Sequence, residues 1–172
     1  YNCTKITTVS PTYANEIRTP EYGCGLDGVL RFRGADLIGI INGVDTEAWN
    51  PQTDEFIAAN YSLSDMKGKS ACKKALQKRL GLEVSAKKPV FGVVSRLYSQ
   101  KGLDLLARIA GELVGHMDIQ IAILGTGEHW LENAFSDLTA KFPGKISAYI
   151  GFDNELAHQI EAGSAFFIMP SR

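Results

Sequence analysis

The residues with the clearest chemical potential lie in Ser95-Arg96-Leu97-Tyr98-Ser99-Gln100-Lys101-Gly102, which follows one apolar run and leads into an amphipathic one. Arg96 offers a planar fork of donors that suits phosphate oxygens, and Lys101 a mobile point charge. The two can converge on one anion beside a helix N-terminus and its backbone donors, as a diphosphate clamp would. A cation about 4 Å from a phosphate contributes on the order of 4 kcal/mol at an effective dielectric of 20, before desolvation is subtracted. Spacing alone leaves the bland reading equally open, in which both are solvated loop charges.

Other phosphate-type motifs fail on context. Gly68-Lys69-Ser70 imitates the end of a P-loop, but Leu63 stands where its first glycine is required and the surroundings are helical. Gly23-Cys24-Gly25-Leu26-Asp27-Gly28 has dinucleotide-fingerprint spacing, with Asp45 near the place of a ribose-binding acid, yet no strand precedes it. Gly125-Thr126-Gly127 does follow a strand, but Trp130 fills the third glycine position, so it reads as a tight strand-to-helix turn. Cys3, Cys24 and Cys72 contain no C-x-x-C pair, and His116, His129 and His158 have no second ligand at metal spacing. No metal site and no disulfide framework is expected, and a reducing compartment is favoured.

The elements that must position Arg96 and Lys101 are legible from residue 89 onward. Short apolar runs at 90–94, 119–124, 146–150 and 165–169 alternate with helical patterns at 102–114, 128–142 and 155–163. Leu103, Leu106, Ile109 and Leu113 are the expected core stripe of the first of these helices. Continuous apolar strands alternating with helices predict a parallel α/β sheet covered on both faces, with 165–169 as a buried strand. Ligands gather outside the carboxyl ends of such strands, which selects residues 95–102, 125–128 and 151–154. Upstream, a strand is predicted at 5–10, a short helix at 13–18, a loop at 19–28 and a strand at 37–41. A polar irregular stretch follows at 45–64, then a lysine-rich amphipathic helix at 65–80 with a solvated basic face.

Composition bounds the rest. The chain has 172 residues, 45% apolar and 22% charged, with 18 basic against 19 acidic side chains. A chain of this length buries roughly 70% of the surface its unfolded form exposes and needs no staple. The near-zero net charge gives no field for nucleic acid or an anionic membrane, no 18-residue apolar run exists to span a bilayer, and the first residues lack a signal-peptide pattern. With a strand at each end of the sequence, both ends read as cuts through a longer protein.

Several segments in order resemble one family. Lys5-Ile6-Thr7-Thr8-Val9-Ser10-Pro11-Thr12-Tyr13-Ala14, Gly39-Ile40-Ile41-Asn42-Gly43-Val44-Asp45 with Trp49-Asn50-Pro51, Val94-Ser95-Arg96-Leu97 with Gln100-Lys101-Gly102-Leu103-Asp104, and Pro170-Ser171-Arg172 are similar to bacterial glycogen synthases and plant starch synthases. The resemblance implies an ADP-glucose-dependent retaining glucosyltransferase that extends an α-1,4-glucan, on a GT-B fold of two Rossmann-like domains. Residues 1–40 would end the first domain, and 41–172 would form the crossing and the first part of the nucleotide-sugar domain. Carried over by position, Arg96 and Lys101 match the pair on the diphosphate, Asn42 a residue near the transferred sugar, and Phe152 the aromatic that stacks on the base. From their own pattern, Asn42 reads equally as a turn residue and Phe152 as a core aromatic. The implied ligands are ADP-glucose and an α-1,4-glucan, with no cofactor, metal, nucleic acid or membrane, and the implied setting is bacterial cytoplasm or plastid stroma. The family's Lys-x-Gly-Gly loop, acceptor-side histidine and Glu-x-x-x-Gly-Leu segment lie outside these residues, so the resemblance implies a chain inactive by itself. The alternative is a non-catalytic nucleotide-binding or assembly module of the same fold.

Overall fold

Near the N-terminus, Ile6–Val9 (β1) and Leu37–Ile40 (β2) pair in parallel, with Ile6 opposite Leu37 and Val9 opposite Ile40. The computed structural model describes residues 3–171, and its contacts divide the chain into two units, Tyr1–Thr46 and Glu47–Arg172. Residues 41–45, which follow the 40/41 boundary expected from sequence, form no regular element.

In the first unit, Pro11–Glu16 (α1) starts two residues earlier than the predicted helix. Proline is suited to the first helical position, and the Ser10 hydroxyl accepts from the Tyr13 N–H at 3.1 Å. Asp27–Phe32 (α2) begins inside the expected loop. It buries no residue and is braced by an Asp27–Arg31 ion pair of 2.6 Å, so it carries no apolar stripe for periodicity to detect. Ala14, Ile17 and Leu37 form the small core.

The second unit opens with an irregular segment and then Lys67–Arg79 (α3), whose first turn is capped by Asp65 Oδ1 accepting from the Lys67 N–H. The predicted solvated face is only partly so, since Lys69 and Lys73 each donate to a backbone carbonyl, of Ala162 and Ala86 respectively. Next come Val90–Val94 (β3), a 3₁₀ turn at Ser99–Lys101, Leu103–His116 (α4), Gln120–Gly125 (β4), His129–Lys141 (α5), Ile146–Ile150 (β5), Asn154–Gly163 (α6) and Phe166–Phe167 (β6). The four strands are parallel and ordered β5-β4-β3-β6.

That order fixes the layers. The chain moves outward from β3 to β5, then returns to the other side of β3 for β6, so the crossing helix must change face. Leu106, Ala110 and Val114 of α4 and Leu131 and Phe135 of α5 pack with Val93, Ile121 and Ile123 in one core. On the opposite face, Leu76 of α3 and Leu156 and Ile160 of α6 pack with Val90, Ala122 and Leu124. The core stripe of α4 is Leu103, Leu106, Ala110 and Val114, while Ile109 is exposed. A 3-4-4 spacing tracks a 3.6-residue turn, whereas the predicted step from 106 to 109 drifts off the face.

The last strand departs most from expectation. Only Phe166 and Phe167 pair with β3, and they are 56% and 40% exposed instead of buried. Within the described residues β6 is the sheet edge, so Phe166 covers itself only by stacking on Phe91, at 4.8 Å between ring centroids.

Candidate nucleotide-sugar site

The strand-order reversal between β3 and β6 places the 95–102 loop and the Pro170-Ser171 segment side by side at the carboxyl ends of the sheet, where ligands gather in folds of this kind. Two adjoining cavities occupy that end. One, of about 240 Å³, is lined by Arg96, Thr126, Phe152 and Asp153 over an apolar floor that includes Leu124 and Ala157. The other, of about 130 Å³, is lined by Lys101, Leu103, Met169, Pro170 and Ser171. Val94 and Ser95 line both.

The chain reaches these positions by extending the β3–β4 ladder beyond the strands. The Ser95 N–H donates to Leu124 O at 3.1 Å, the Leu97 N–H to Thr126 O at 2.9 Å, and the Glu128 N–H to Leu97 O at 2.8 Å. Such close approach leaves no room for a side chain at 125, where a Cβ would collide with the Ser95 carbonyl. Leu97 is fully buried beneath the loop, which forces its neighbours Arg96 and Tyr98 outward, and the Arg96 guanidinium lies 5.6 Å from the Tyr98 ring centre. Lys101 ends the 3₁₀ turn and is half-buried. After it, Gly102 has φ +65° and lies so close to Pro170 that a Cβ would strike the Pro170 carbonyl. Glycine there is required twice over, by conformation and by space, and it brings the Pro170-Ser171 segment against the lysine turn. Arg172, which completes the Pro-Ser-Arg motif, lies outside the described residues.

Among the described residues, no carboxylate forms a salt bridge with Arg96 or Lys101. Asp153, the acidic residue lining the larger cavity, is 2.7 Å from Arg79 and caps α6 by accepting from the Leu156 N–H at 2.8 Å. Glu132 accepts from the Thr126 hydroxyl at 2.6 Å and the Gly127 N–H at 2.8 Å, and these donors hold its carboxyl below the usual carboxylate range. Glu128 accepts from the Ser99 N–H, the Ser99 hydroxyl and the Trp130 indole, with the same effect, the Ser99 N–H being the largest cause.

Of the sequence-derived site residues, Arg96 and Phe152 share one cavity and Lys101 lines its neighbour. Phe152 is 88% exposed, so the core-aromatic reading of it does not hold. Asn42 is exposed in the first unit, in the irregular stretch after β2. Reasoning from sequence did not find Glu128, whose partner Ser99 is 29 positions away, or the fixing of Asp153 by Arg79. His158 is buried with Nδ1 2.7 Å from Asp54 Oδ2, and the Trp49 ring stacks on it at 3.8 Å. This contact pins the irregular segment to α6, which gives the Trp49-Asn50-Pro51 motif a packing role.

The fold recurs in solved glycosyltransferases. The catalytic domain of starch synthase IV from Arabidopsis thaliana, solved bound to ADP and acarbose, superposes with a TM-score of 0.91 at 37% identity, over 98% of this chain and 35% of that one. A glycosyltransferase from Rickettsia africae matches with a TM-score of 0.60 at 19% identity over 98% of this chain, a likeness of fold alone. The two-faced parallel sheet with its cavities at the strand-order reversal is thus that of a GT-B glycosyltransferase. In sequence, the chain is 52% identical over 99% of its length to glycogen synthase 1 of Geobacter sulfurreducens, and 52% identical over 97% to glycogen synthase of Myxococcus xanthus. Residues 1–32 also match the family model of the starch synthase catalytic domain. The chain belongs to the glycogen synthase and starch synthase family, and it spans about a third of the length of the curated relatives it matches. No helix is long and apolar enough to cross a membrane among the described residues.

Proposed function

We propose that the full-length protein carrying this chain transfers glucose from ADP-glucose to the non-reducing end of an α-1,4-glucan, with retention at the anomeric carbon. The observation that carries the reading is the pair of cations, Arg96 and Lys101, without a carboxylate partner among the described residues, lining adjoining cavities at the carboxyl ends of the sheet beside an exposed aromatic, Phe152.

The chemistry asks for such an arrangement. Breaking the bond to the anomeric carbon builds negative charge on the departing diphosphate and positive character on the sugar. Fixed cations at the diphosphate therefore stabilise the transition state more than the ground state. Arg96, held over the Tyr98 ring, would take one phosphate through its fork, and Lys101 the other as a point charge. The base would lie on Phe152 above the floor of Leu124 and Ala157, stacking being tolerant of base identity. Support comes from the family relationship and from the ADP bound in the starch synthase IV structure. No metal is required, because the two side chains neutralise the leaving group.

The test is glucose incorporation into glycogen by the full-length protein, with labelled ADP-glucose and UDP-glucose offered separately. Incorporation from ADP-glucose well above that from UDP-glucose is expected. Consumption of neither donor would overturn the reading and leave a non-catalytic module.

A further inference from the structure

Lys101 sits on a turn with little of its own to hold it. Between Tyr98 and Gly102 the backbone makes two internal hydrogen bonds, from the Lys101 N–H to Tyr98 O at 2.8 Å and from the Gly102 N–H to Ser99 O at 2.9 Å. Three residues of 3₁₀ helix without a side-chain cap on the preceding Tyr98 make a weak element. What fastens it is a single carboxylate from the start of α5. Glu128 Oε1 accepts from the Ser99 N–H at 3.1 Å, and Oε2 from the Ser99 hydroxyl at 2.9 Å. The Trp130 indole donates to Oε2 at 2.5 Å and so fixes the rotamer of the acid. Glu128 is itself anchored, its N–H donating to Leu97 O at 2.8 Å within the extended β3–β4 ladder.

We propose that Glu128 is a positioning residue that fixes the 99–101 turn and, through it, the ammonium of Lys101. This inference rests on the proposed diphosphate role of Lys101. A carboxylate so close in the chain fold to an anion site would oppose a diphosphate if it faced the ligand unpartnered. Three donors from two residues spread its charge, and they spend it on backbone order instead. The turn then presents its lysine without the conformational search that a free loop would require on binding.

Two readouts on the full-length protein separate this inference from the reading beneath it. In Glu128→Ala, hydrogen exchange at the amides of residues 99–102 is expected to accelerate, with the β4 amides unchanged. ADP affinity measured by calorimetry is expected to fall by about tenfold, within the range for contacting residues. Glu128→Gln keeps one acceptor oxygen but sets its NH2 against one of the N–H donors, and is expected to recover only part of the loss. In a Lys101→Ala background, the further change Glu128→Ala is expected to alter ADP affinity by less than about twofold, because the group it positions is gone. Unaltered exchange at 99–102, or an undiminished loss in the Lys101→Ala background, overturns the role of Glu128. If Lys101→Ala itself leaves ADP affinity unchanged while exchange at 99–102 accelerates in Glu128→Ala, the diphosphate reading fails and the clamp on the turn stands.

Discussion

At the scale of single residues, the cavity mouth is organised by acids that are already occupied. Asp153 is committed to Arg79 and the α6 cap, Glu128 to the lysine turn, and Glu132 to the β4–α5 loop. Among the described residues, Arg96 and Lys101 form no salt bridge with a carboxylate, a local feature that net charge could not have suggested. Glu132 also makes a pH prediction. Its carboxyl is held below the usual range, first by the Thr126 hydroxyl and then by the Gly127 N–H. A carboxyl with a depressed folded value stabilises the fold above its unfolded value of about 4.3, and the contribution is lost as pH falls through the lowered folded value. Thermal midpoints measured from about pH 5 down to about pH 3 should therefore fall more steeply for the native chain than for Glu132→Gln. Parallel curves would show that Glu132 carries no such linkage.

At the scale of elements, a buried amide pair joins α3 to β4 within the second unit. Gln77 of α3 and Gln120 of β4 are both fully buried, with Gln77 Nε2 donating to Gln120 Oε1 at 2.7 Å. Gln120 Nε2 donates to the carbonyls of Glu83 and Gly144, so the loops before β3 and before β5 are tied to one side chain. Gln120→Met keeps the volume but leaves those buried carbonyls and the Gln77 amide short of partners. Urea unfolding should show a loss of about 1–3 kcal/mol, the cost of an unsatisfied buried polar group. A variant as stable as the native chain would mean that water replaces the amide. Neither glutamine stood out in the sequence, because helical and strand periodicity register apolar side chains and an amide on a core face breaks the pattern. The strands and helices from β3 to α6 were legible for the same reason, since their apolar spacing is nearly unbroken. What escaped was what periodicity cannot carry. Helix α2 is held by an ion pair without a stripe, the face of α4 turned on the choice between Ile109 and Ala110, and the exposure of Phe166 depends on strand order.

At the scale of the whole molecule, strand order does what no residue type can. Running β5-β4-β3-β6, the sheet reverses beside the strand that ends at Val94, and the loops carrying Arg96, Lys101, Phe152 and Pro170 gather at that reversal. The chemistry and spacing of Arg96 and Lys101 marked them as candidates for holding an anion, with solvated loop charges as the equal alternative. Their adjoining cavities, and the turn that Glu128 fixes between them, depend on contacts across 29 or more positions that spacing does not encode. The central claim is that these two cations stabilise the departing diphosphate. The direct measurement is the turnover of ADP-glucose by the full-length protein and by its Arg96→Ala and Lys101→Ala variants, with circular dichroism to establish that each is folded. Either substitution is expected to lower kcat on the order of a hundredfold, as loss of one preorganised electrostatic donor does. Folded variants that both turn over within about twofold of the native protein would contradict it.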